Sequence, residues 1–355
     1  MKSLRRQPAE WAPHAAMWIG WPSAADLWLE NLGPAQEEVA ELISAICFPD
    51  PGDERGERMR GERVELVYRG EEARVAAEAM RLGLADPSIV QLCEAPIGDI
   101  WLRDTGPIFV RDGAGAAASA FTFNGWGGKY DLPNDAQIAD ILAEQAGVRL
   151  RRFPAFVGEG GALEVDGEGT VITTRQCLLN KNRNPAMSEK EVEGVLRDAL
   201  GVEKVIWLDE GMHGDHTDGH IDNLARFIAP GKVVCMRPTG KDDPNAGVFA
   251  EILKILSNAT DAGGQKLEVI EIPSPGKAEL DGEIVPASHM NFLIANKSLV
   301  MPSYGGLTGD DEPALECLEI LEAHVDRPHF YAIDSSHLLS GGGSFHCISQ
   351  QQPVI

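Results

Sequence analysis

The stretch "HIDNLARFIAPGKVVCMR" (220–237) shows the unit from which the fold is built. It has a polar start at His220, an apolar run, a turn at Pro230-Gly231 and a second apolar run, a pattern that predicts a β-hairpin. The plan recurs several tens of residues apart, and the other stretches are "DTGPIFVRDGAGAAASAFTF" (104–123), "EGGALEVDGEGTVITT" (159–174), "MNFLIANKSLVMPS" (290–303) and "HCISQQQPVI" (346–355), which begins one more hairpin. The chain is therefore predicted to repeat one hairpin module.

Helical patterns lie between the hairpins. "SEKEVEGVLRDAL" (188–200) has Ser188 as N-cap and Glu191 three residues later, which predicts a capping box, and "AGVFAEILKIL" (246–256) is a second helical pattern. Hairpins alternating with helices predict an α/β fold whose modules form a ring. No low-complexity linker divides the chain, so we expect a single domain over residues 1–355, with the charged, glycine-rich Pro49–Arg63 as a surface loop.

Composition and charge narrow the classes of function. The chain has 355 residues, 43% of them hydrophobic, which is enough for a full core. Its formal charge of −24, from 31 basic and 55 acidic residues, argues against nucleic acid or membrane as a partner and suits a cationic substrate. The basic N-terminus lacks an apolar h-region, no apolar run approaches about 18 residues, and the 6 cysteines are scattered, so we expect a reduced, cytoplasmic protein. The oligomeric state is open, a homo-oligomer included.

The starts of the modules carry side chains that suit catalysis. If these starts converge on one axis, a central site contains Asp104, Glu159, His220, Asp222 and Cys347. An aspartate at the end of a hairpin strand is common. Considered by itself, Asp104 would be interpreted as a structural residue that ends a short aromatic strand before a Thr-Gly-Pro turn. Carboxylates, an imidazole and a thiol at successive module starts are a much less ordinary set, so we interpret them as one site.

Cys347 is the candidate nucleophile, because the thiolate is the reactive form of cysteine. The run Gly341-Gly342-Gly343 before it lets backbone approach the site closely, which makes Gly343 a candidate substrate contact. His346 and Cys347 are neighbours, so on an extended strand their side chains point to opposite faces. His346 is therefore predicted to be structural or supporting, and the base must come from elsewhere.

The base is expected from "GDHTDGHIDN" (214–223). His220 and Asp222 are two residues apart and on a strand would face the same side, as an imidazole with a carboxylate beside it. The alternative is a metal-dependent hydrolase whose ligands come from the same region, namely His213, His216 and His220 with Asp215, Asp218 and Asp222. Gly214 and Gly219 interrupt the helix that this histidine spacing suggests.

A planar cation is the substrate that best explains the whole set. Several carboxylates would raise the pKa of Cys347, which does not suit acyl transfer. A guanidinium is planar and pairs bidentately with carboxylates, so its binding would neutralise them and favour the thiolate. We therefore expect the pKa of Cys347 to fall when a guanidinium ligand binds. Trp101 and Trp126 are candidates for an aromatic wall beside such a cation.

Two further classes stay open on the residues alone. A Cys-His amidase or acyltransferase would give the carboxylates no function, and a non-catalytic acidic binding protein would leave the convergent set unexplained. Structural zinc on cysteines is not expected, because there is no C-x-x-C pattern. Cys93, Cys177 and Cys235 lie in apolar surroundings and are predicted to be buried thiols rather than ligands.

Several long motifs, in order from about residue 8 to the end, carry a resemblance to a known family. They are "PAEWAPHAAMWIGWP" (8–22), "IWLRDTGP" (100–107), "NGWGGKYD" (124–131), "EGGALEVDGEGTVITTRQCLLNKNRNP" (159–185), "TDGHIDNLARF" (217–227) and "GGGSFHCISQQQP" (341–353). They resemble the agmatine deiminase and bacterial (Porphyromonas-type) peptidylarginine deiminase family of guanidino-group-modifying enzymes. The resemblance implies a five-bladed α/β propeller, the pentein fold, of pseudo-fivefold ββαβ modules.

The resemblance also implies an activity, which is hydrolytic deimination of a guanidino substrate with no metal and no organic cofactor. Agmatine is favoured, giving N-carbamoylputrescine and ammonia, with another guanidine such as a peptidyl arginine as the alternative. By the same resemblance Cys347 attacks the guanidinium carbon to form an S-alkylthiouronium, while Asp104 and Asp222 hold guanidinium nitrogens. His220 would protonate the departing ammonia and then deprotonate water, and Glu159 would orient His220.

The resemblance implies that Trp101 and Trp126 lie along the substrate's path. Three other positions depart from the family pattern. Glu164 stands where the family often has His, His289 where an aromatic residue is more usual, and Asp218 where plant-type enzymes have Asn. These departures leave the chemistry intact and leave the alkyl-chain end of the pocket open, so another small guanidine or a peptidyl arginine stays the alternative to agmatine. An additional acidic residue would suit the terminal ammonium of agmatine, whereas the carboxylate of arginine would be repelled.

Overall fold

The protein is an α/β fold of small sheets with helices packed against them. The computed structural model describes residues 5–48, 61–113 and 115–355, so most of the predicted loop Pro49–Arg63 lies outside the described residues. The strands, in chain order, are β1 (Arg5–Arg6), β2 (His14–Gly20), β3 (Val64–Tyr68), β4 (Val90–Glu94), β5 (Ile108–Asp112), β6 (Gly115–Thr122), β7 (Arg149–Val157), β8 (Glu164–Val165), β9 (Thr170–Thr174), β10 (Lys204–Leu208), β11 (Ala225–Ala229), β12 (Lys232–Arg237), β13 (Glu268–Pro273), β14 (Glu279–Leu280), β15 (Glu283–Ile284), β16 (Leu293–Ile294), β17 (Ser298–Ser303), β18 (His329–Asp334) and β19 (Ser349–Pro353).

Helices fill the connections between these strands. They are α1 (Ala25–Trp28), α2 (Leu32–Cys47), α3 (Glu71–Gly83), α4 (Leu102–Thr105), α5 (Gly125–Gly128), α6 (Ile138–Gln145), α7 (Arg175–Leu178), α8 (Glu189–Leu200), α9 (Ala246–Asn258), α10 (Gly305–Thr308), α11 (Glu312–Glu322) and α12 (Ser336–Ser340). The predicted capping box is confirmed at α8, where Ser188 and Glu191 bond each other's backbone N–H groups. It satisfies two amide donors that the first turn of the helix would leave free.

Four sheets share one order of strands. In each, a hairpin is followed by a helix-containing crossover and by a third strand parallel to the second; the sheets are β5-β6-β7 with β1 at its edge, β8-β9-β10, β11-β12-β13 and β16-β17-β18. In the third of these, Phe227 lies opposite Val233 in the antiparallel pair and Val234 lies opposite Ile270 in the parallel pair. Helix α9 makes the crossover, because a parallel partner cannot be reached by a tight turn. The hairpins predicted from residues 104, 159, 220 and 290 are therefore confirmed.

The fifth hairpin differs from the prediction. Strand β19 pairs antiparallel with β2 from the N-terminal region, so that Gln350 lies opposite Trp18, and β2 then pairs parallel with β3 and β3 with β4. The start at His346 therefore does not open a hairpin between consecutive strands. The antiparallel partner of β19 is instead β2, so strands from distant parts of the sequence complete this sheet.

The core lies between each sheet and its helices. Helix α9 buries Phe249, Ile252 and Leu256 in a cluster that includes Cys235 of β12. Full burial of each such side chain stabilises the fold by roughly 1.5–3 kcal/mol, which fixes the sheet against its helix. Within the described ranges, no helix combines the length and the apolar character needed to cross a bilayer.

Candidate active site

The residues singled out in the sequence lie where the hairpin units begin. Glu159 follows β7, Cys347 precedes β19, and Asp104 lies in the short helix α4 rather than at the end of a strand. His220 and Asp222 lie in a turn, not on a strand, because the chain forms a short 3₁₀ segment (Ile221–Asn223) before β11 begins. The backbone N–H of His220 donates to the hydroxyl of Thr217, which holds this turn in place.

The sulfur of Cys347 lies in a buried polar pocket. Its Sγ is 3.7 Å from Oδ2 of Asp222 and accepts a hydrogen bond of 3.1 Å from Nδ2 of Asn291. Oδ1 of Asn291 accepts the backbone N–H of Cys347 at 3.2 Å and that of His346 at 3.0 Å. Burial raises the pKa of Cys347 well above its ordinary value, and the carboxylates of Asp222 and Asp104 raise it further. The free thiol is therefore protonated at neutral pH.

Asp222 is held by the residue that precedes the nucleophile. Nδ1 of His346 bonds Oδ2 of Asp222 at 2.8 Å, while Nε2 of His346 lies 3.0 Å from Oε2 of Glu10. Arg226, fully buried, bonds Glu10 in turn. Burial would raise the pKa of Asp222, but the hydrogen bond from His346 and nearby positive charge lower it overall. The site therefore keeps Asp222 ionised, and His346 supports it as predicted rather than contacting the thiol as a base.

His220 lies between two other carboxylates. Its Nδ1 is 3.7 Å from Oδ1 of Asp104 and its Nε2 is 3.9 Å from Oε2 of Glu159. Neither ring nitrogen has a hydrogen-bond partner among the described residues, although the ring is fully buried. Burial alone would lower the pKa of His220, but Asp104, Cys177 and Glu159 raise it well above its ordinary value. The imidazole is therefore charged at neutral pH and able to give a proton.

Asp104 faces the same space as Cys347. Its Oδ2 accepts the indole N–H of Trp126 at 2.9 Å and its Oδ1 accepts the backbone N–H of Gly161 at 3.0 Å. Burial raises the pKa of Asp104 to about 6; His220 opposes this shift, and Asp222 and Glu159 add to it. Because other carboxylates lie close to Asp104, a cation placed between Asp104 and Asp222 would stabilise the ionised form of Asp104.

Glu159 is fixed by an arginine that the sequence analysis did not single out. Nε of Arg183 donates to Oε1 of Glu159 at 2.7 Å, and both side chains are completely buried. The same guanidinium donates to Asp218 at 3.1 Å, and Asp218 also pairs with Lys129 at 2.7 Å. Asp218, one of the departures from the family pattern, therefore helps to position the groups around His220.

A metal could be held by a set different from the predicted one. Donor atoms of Glu159, Cys177 and His220 all lie within 4.8 Å of one another. The predicted set is not brought together in the described part of the chain: His213 is exposed, with its backbone N–H on Asn245, and Nδ1 of His216 bonds the hydroxyl of Tyr130. The metal-hydrolase interpretation based on His213, His216 and His220 therefore has no ligand cluster.

The prediction that Cys93, Cys177 and Cys235 are buried thiols is confirmed only in part. Cys177 and Cys235 are fully buried, but Cys177 contacts the site and so is more than a filler of the core. Cys93 is only partly buried, and its thiol donates to Glu65 at 3.3 Å.

A cavity of about 320 Å³ leads to the reactive groups. Asp104 and Cys347 lie in its lining with Trp101 and Trp126. The rest of the lining consists of Leu27, Trp28, Leu29, Glu30, Asn31, Asp99, Tyr130, Leu132, His216, Thr217, Ser340, Gly341 and Gly342. Gly343 is not in the lining; a Cβ there would lie 2.6 Å from Cζ3 of Trp101 and 3.0 Å from Cβ of Cys347. Gly343 therefore allows Trp101 to pack beside the nucleophile instead of contacting the cavity itself.

Gly161 leaves room between the polar groups. A Cβ at this position would lie 2.6 Å from Nδ1 of His220, 2.9 Å from Oδ1 of Asp104 and 3.1 Å from Oδ2 of Asp222. The absence of a side chain at Gly161 therefore lets the backbone approach these three groups closely. The space suits a flat group that donates hydrogen bonds to both aspartates.

Glu164 and His289, the two departures that left the alkyl-chain end of the pocket open, lie away from the cavity. Glu164 accepts a hydrogen bond from Nε of Arg226 and another from the backbone of Phe227, both at 2.8 Å. His289 is buried against the carbonyl of Pro273, and neither Glu164 nor His289 lines the cavity. Neither departure therefore changes the cavity lining, because both side chains point into buried hydrogen-bond networks.

Sequence reasoning missed the supporting residues Asn291, Glu10, Arg183 and Asp99. Asn291 carried a weak signal, since it is the second residue of the fourth predicted hairpin stretch. Glu10 and Arg183 stand inside the quoted motifs, but only distant contacts give them a function.

Comparisons with known proteins agree with this geometry. The model of the Porphyromonas-type peptidyl-arginine deiminase family matches residues 6–353. An agmatine deiminase of Stutzerimonas stutzeri is 38% identical over 98% of this chain and 95% of its own. One of Pseudomonas aeruginosa is 37% identical over the same shares. The solved structure of the Enterococcus faecalis agmatine deiminase, at 31% identity, superposes with a TM-score of 0.86 over 98% of this chain and 96% of that one. A family match over nearly the whole sequence and a fold shared from end to end leave one assignment: the chain belongs to the Porphyromonas-type peptidyl-arginine deiminase family.

Proposed function

We propose that this protein is a hydrolase that converts agmatine and water to N-carbamoylputrescine and ammonia. The observation that carries the proposal is the position of Cys347, 3.7 Å from Asp222, at a cavity that Asp104 also lines. Relatives covering nearly the same length act, by their names, on agmatine. Two carboxylates beside a nucleophile match the bidentate donors of a guanidinium.

Substrate binding activates the nucleophile in this proposal. The carboxylates of Asp104 and Asp222 raise the pKa of Cys347 while the site is without a cation. A guanidinium between them offsets their charge, so the thiol loses its proton as the substrate binds. The same two aspartates hold the guanidinium carbon against the sulfur, which converts an encounter into a nearly intramolecular reaction.

In the first half of the reaction, the thiolate of Cys347 forms a bond to the guanidinium carbon. Charged His220 gives its proton to the nitrogen that leaves, and the C–N bond breaks to release ammonia. An S-alkylthiouronium remains on the sulfur, and its positive charge stays between Asp104 and Asp222.

In the second half, neutral His220 takes a proton from water, and the oxygen attacks the thiouronium carbon. The C–S bond then breaks, the thiolate leaves, and the ureido product forms with loss of one proton. Glu159, held by Arg183, keeps the imidazole in position through both halves and stabilises its charged form. The groups named here provide both the acid and the base.

The test is ammonia release from agmatine, arginine and a peptide with C-terminal arginine. We expect turnover of agmatine by the wild type, with activity surviving exhaustive chelation. Cys347→Ser should lower it by roughly 10⁴-fold or more, as loss of a nucleophile does. Cys93→Ser, outside the cavity, is the matched control and should retain activity. Full activity of Cys347→Ser would overturn the mechanism, and a clear preference for the peptide would favour the peptidylarginine alternative.

We infer further that the sheets form a five-bladed α/β propeller in one catalytic domain over residues 1–355. Support comes from the shared order of a hairpin and a parallel third strand in four sheets, and from β19 and β2, which join the two ends of the chain in a fifth. Asp104 and Cys347, at the starts of two of these units, line one cavity, and Glu159, His220 and Asp222 from two other units lie within 4 Å of one of these residues or of each other, as the blades of a ring would place them. A cytoplasmic location and a homo-oligomeric state stay predictions; light scattering of the purified chain tests the second.

A further inference from the structure

Two carboxylates of the cavity lining, exposed Glu30 and buried Asp99, have no part in the chemistry proposed above. Asp99 lines the cavity and is 8% exposed. Its Oδ1 accepts the indole N–H of Trp28 at 2.9 Å and its Oδ2 accepts that of Trp101 at 2.8 Å. The two indoles and the backbone N–H of Ile100 are neutral donors, so these hydrogen bonds do not neutralise the charge of Asp99, and a carboxylate oxygen can accept more than one hydrogen bond.

Asp99 lies at a defined distance from the nucleophile because Trp101 spans the gap. The benzo edge of Trp101 packs against Gly343, beside Cβ of Cys347, while the Nε1 edge of the same ring bonds Asp99. Asp99 is thus separated from the sulfur by about the width of one indole. The substrate proposed above has a guanidinium and an ammonium joined by four methylene groups, which is a similar reach.

The walls near Asp99 suit a cation with an aliphatic stem. Trp28 and Trp101 face each other with ring centroids 6.2 Å apart and planes inclined by 32°. Trp126 and Tyr130 contact each other edge to face in the same lining. Indole faces attract cations, and their apolar surface accommodates methylene groups.

A second buried acid adds to the negative field. Asp135 accepts the backbone N–H of Gly98, the residue before Asp99, and its Oδ2 has no hydrogen-bond partner in the part of the chain described. Burial raises the pKa of both Asp99 and Asp135, and the charge of Asp99 raises the pKa of Asp135 further. Arg69 is the basic group that acts on both, and it is not in the cavity lining. A cation entering the cavity would relieve this repulsion.

We propose that Asp99, with Trp28 and Trp101, receives the terminal ammonium of the substrate and makes the enzyme selective for guanidines with a cationic tail. The inference rests on the proposed deiminase function and adds the recognition of the other end of the substrate. The same carboxylate would repel arginine and peptides with C-terminal arginine, because their carboxylates would enter a negative, poorly solvated space.

The experiment compares agmatine with n-pentylguanidine, in which a methyl group replaces the ammonium at the same length. For the wild type we expect kcat/KM to be roughly 10- to 100-fold higher with agmatine, as for loss of a charged hydrogen bond. Asp99→Asn should abolish most of this ratio by lowering only the value for agmatine. Glu72→Gln removes an exposed carboxylate outside the cavity lining, so it should leave kcat/KM for both compounds, and therefore the ratio, unchanged.

The outcomes separate this inference from the deiminase proposal. Wild-type turnover of neither compound would contradict the deiminase proposal. Binding of both compounds to Cys347→Ala, measured by calorimetry, would still test the subsite, and equal affinities would overturn it. Equal kcat/KM for the two compounds in the wild type, or an equal loss for both in Asp99→Asn, would also overturn it, since Asp99 would then only anchor the two tryptophans. Thermal unfolding shows whether each variant is folded.

Discussion

Asn291 holds Cys347 from two sides, since its Nδ2 donates to the sulfur at 3.1 Å while its Oδ1 accepts the N–H of the same residue at 3.2 Å. The hydrogen bond to sulfur favours the thiolate and opposes the effect of Asp222 and Asp104 on the pKa of the thiol. One amide therefore fixes the position of the nucleophile and partly offsets the rise in its pKa that burial and the two carboxylates cause.

Asn291→Ala should lower kcat/KM for agmatine by roughly 10- to 100-fold, because a charged hydrogen bond is lost and two backbone donors are freed. The pH at which iodoacetamide alkylates Cys347 should rise as well. Asn258→Ala, at the exposed end of α9, is the control and should change neither quantity. An unchanged alkylation profile in Asn291→Ala would show that the bond to sulfur has no electrostatic effect.

Gly161→Ala should abolish most activity while leaving the fold intact. The added methyl group would lie within 3.1 Å of His220, Asp104 and Asp222, in the space assigned to the guanidinium. Gly194→Ala on α8 meets no atom within 4 Å and should instead raise the free energy of unfolding by about 0.5–1 kcal/mol. Ammonia release and urea unfolding of both variants check this pair. Wild-type activity in Gly161→Ala would place the substrate elsewhere.

His346→Ala should shift the acid limb of the activity profile to higher pH. His346 lowers the pKa of Asp222 through the 2.8 Å bond, so without it Asp222 becomes protonated at a higher pH and loses its hold on the guanidinium. We therefore expect KM at pH 6 to rise more than KM at pH 8. His213→Ala, outside the cavity, should leave the profile unchanged. An unshifted acid limb in His346→Ala would mean that His346 acts only on packing.

A guanidinium ligand should lower the pKa of the Cys347 thiol. The shift is measured by a pH titration of thiolate absorbance at 240 nm, with and without agmatine. The protein used carries His220→Asn, which slows turnover, and keeps Asn291. The same titration of Cys347→Ser supplies the blank for the remaining thiols. A pKa that does not depend on the ligand would contradict substrate-assisted activation.

Glu164→Gln should become more stable relative to the wild type as pH rises. Burial raises the pKa of Glu164 to about 7, with Glu10 adding to the shift and Arg226 opposing it. A raised pKa in the folded state means stability present below the unfolded pKa near 4.5 and lost as pH rises through about 7. The difference in the free energy of unfolding between variant and wild type should therefore change by about 3 kcal/mol between pH 4 and pH 8. Urea unfolding at both values tests this, with exposed Glu72→Gln as a control that should show no such trend.

Local patterns predicted the parts of the fold that depend on neighbours in sequence. The alternation of apolar residues and the turn at Pro230-Gly231 gave the hairpin β11–β12, and Ser188 with Glu191 gave the start of α8. These patterns failed for one strand whose partner lies far along the chain and for one turn that they assigned to a strand. Strand β19 pairs with β2, and His220 with Asp222 occupies a turn that period-two reasoning assigned to a strand.

By itself the sequence determined the repeated hairpins and the kinds of reactive group at their starts, because periodicity and residue chemistry are local properties. Only the tertiary structure decided which of these groups meet. Cys347 and Asp222 are 125 positions apart, and the support of His346 by Glu10 spans 336. Contacts over such separations depend on how whole sheets pack, and no short stretch of residues specifies that packing.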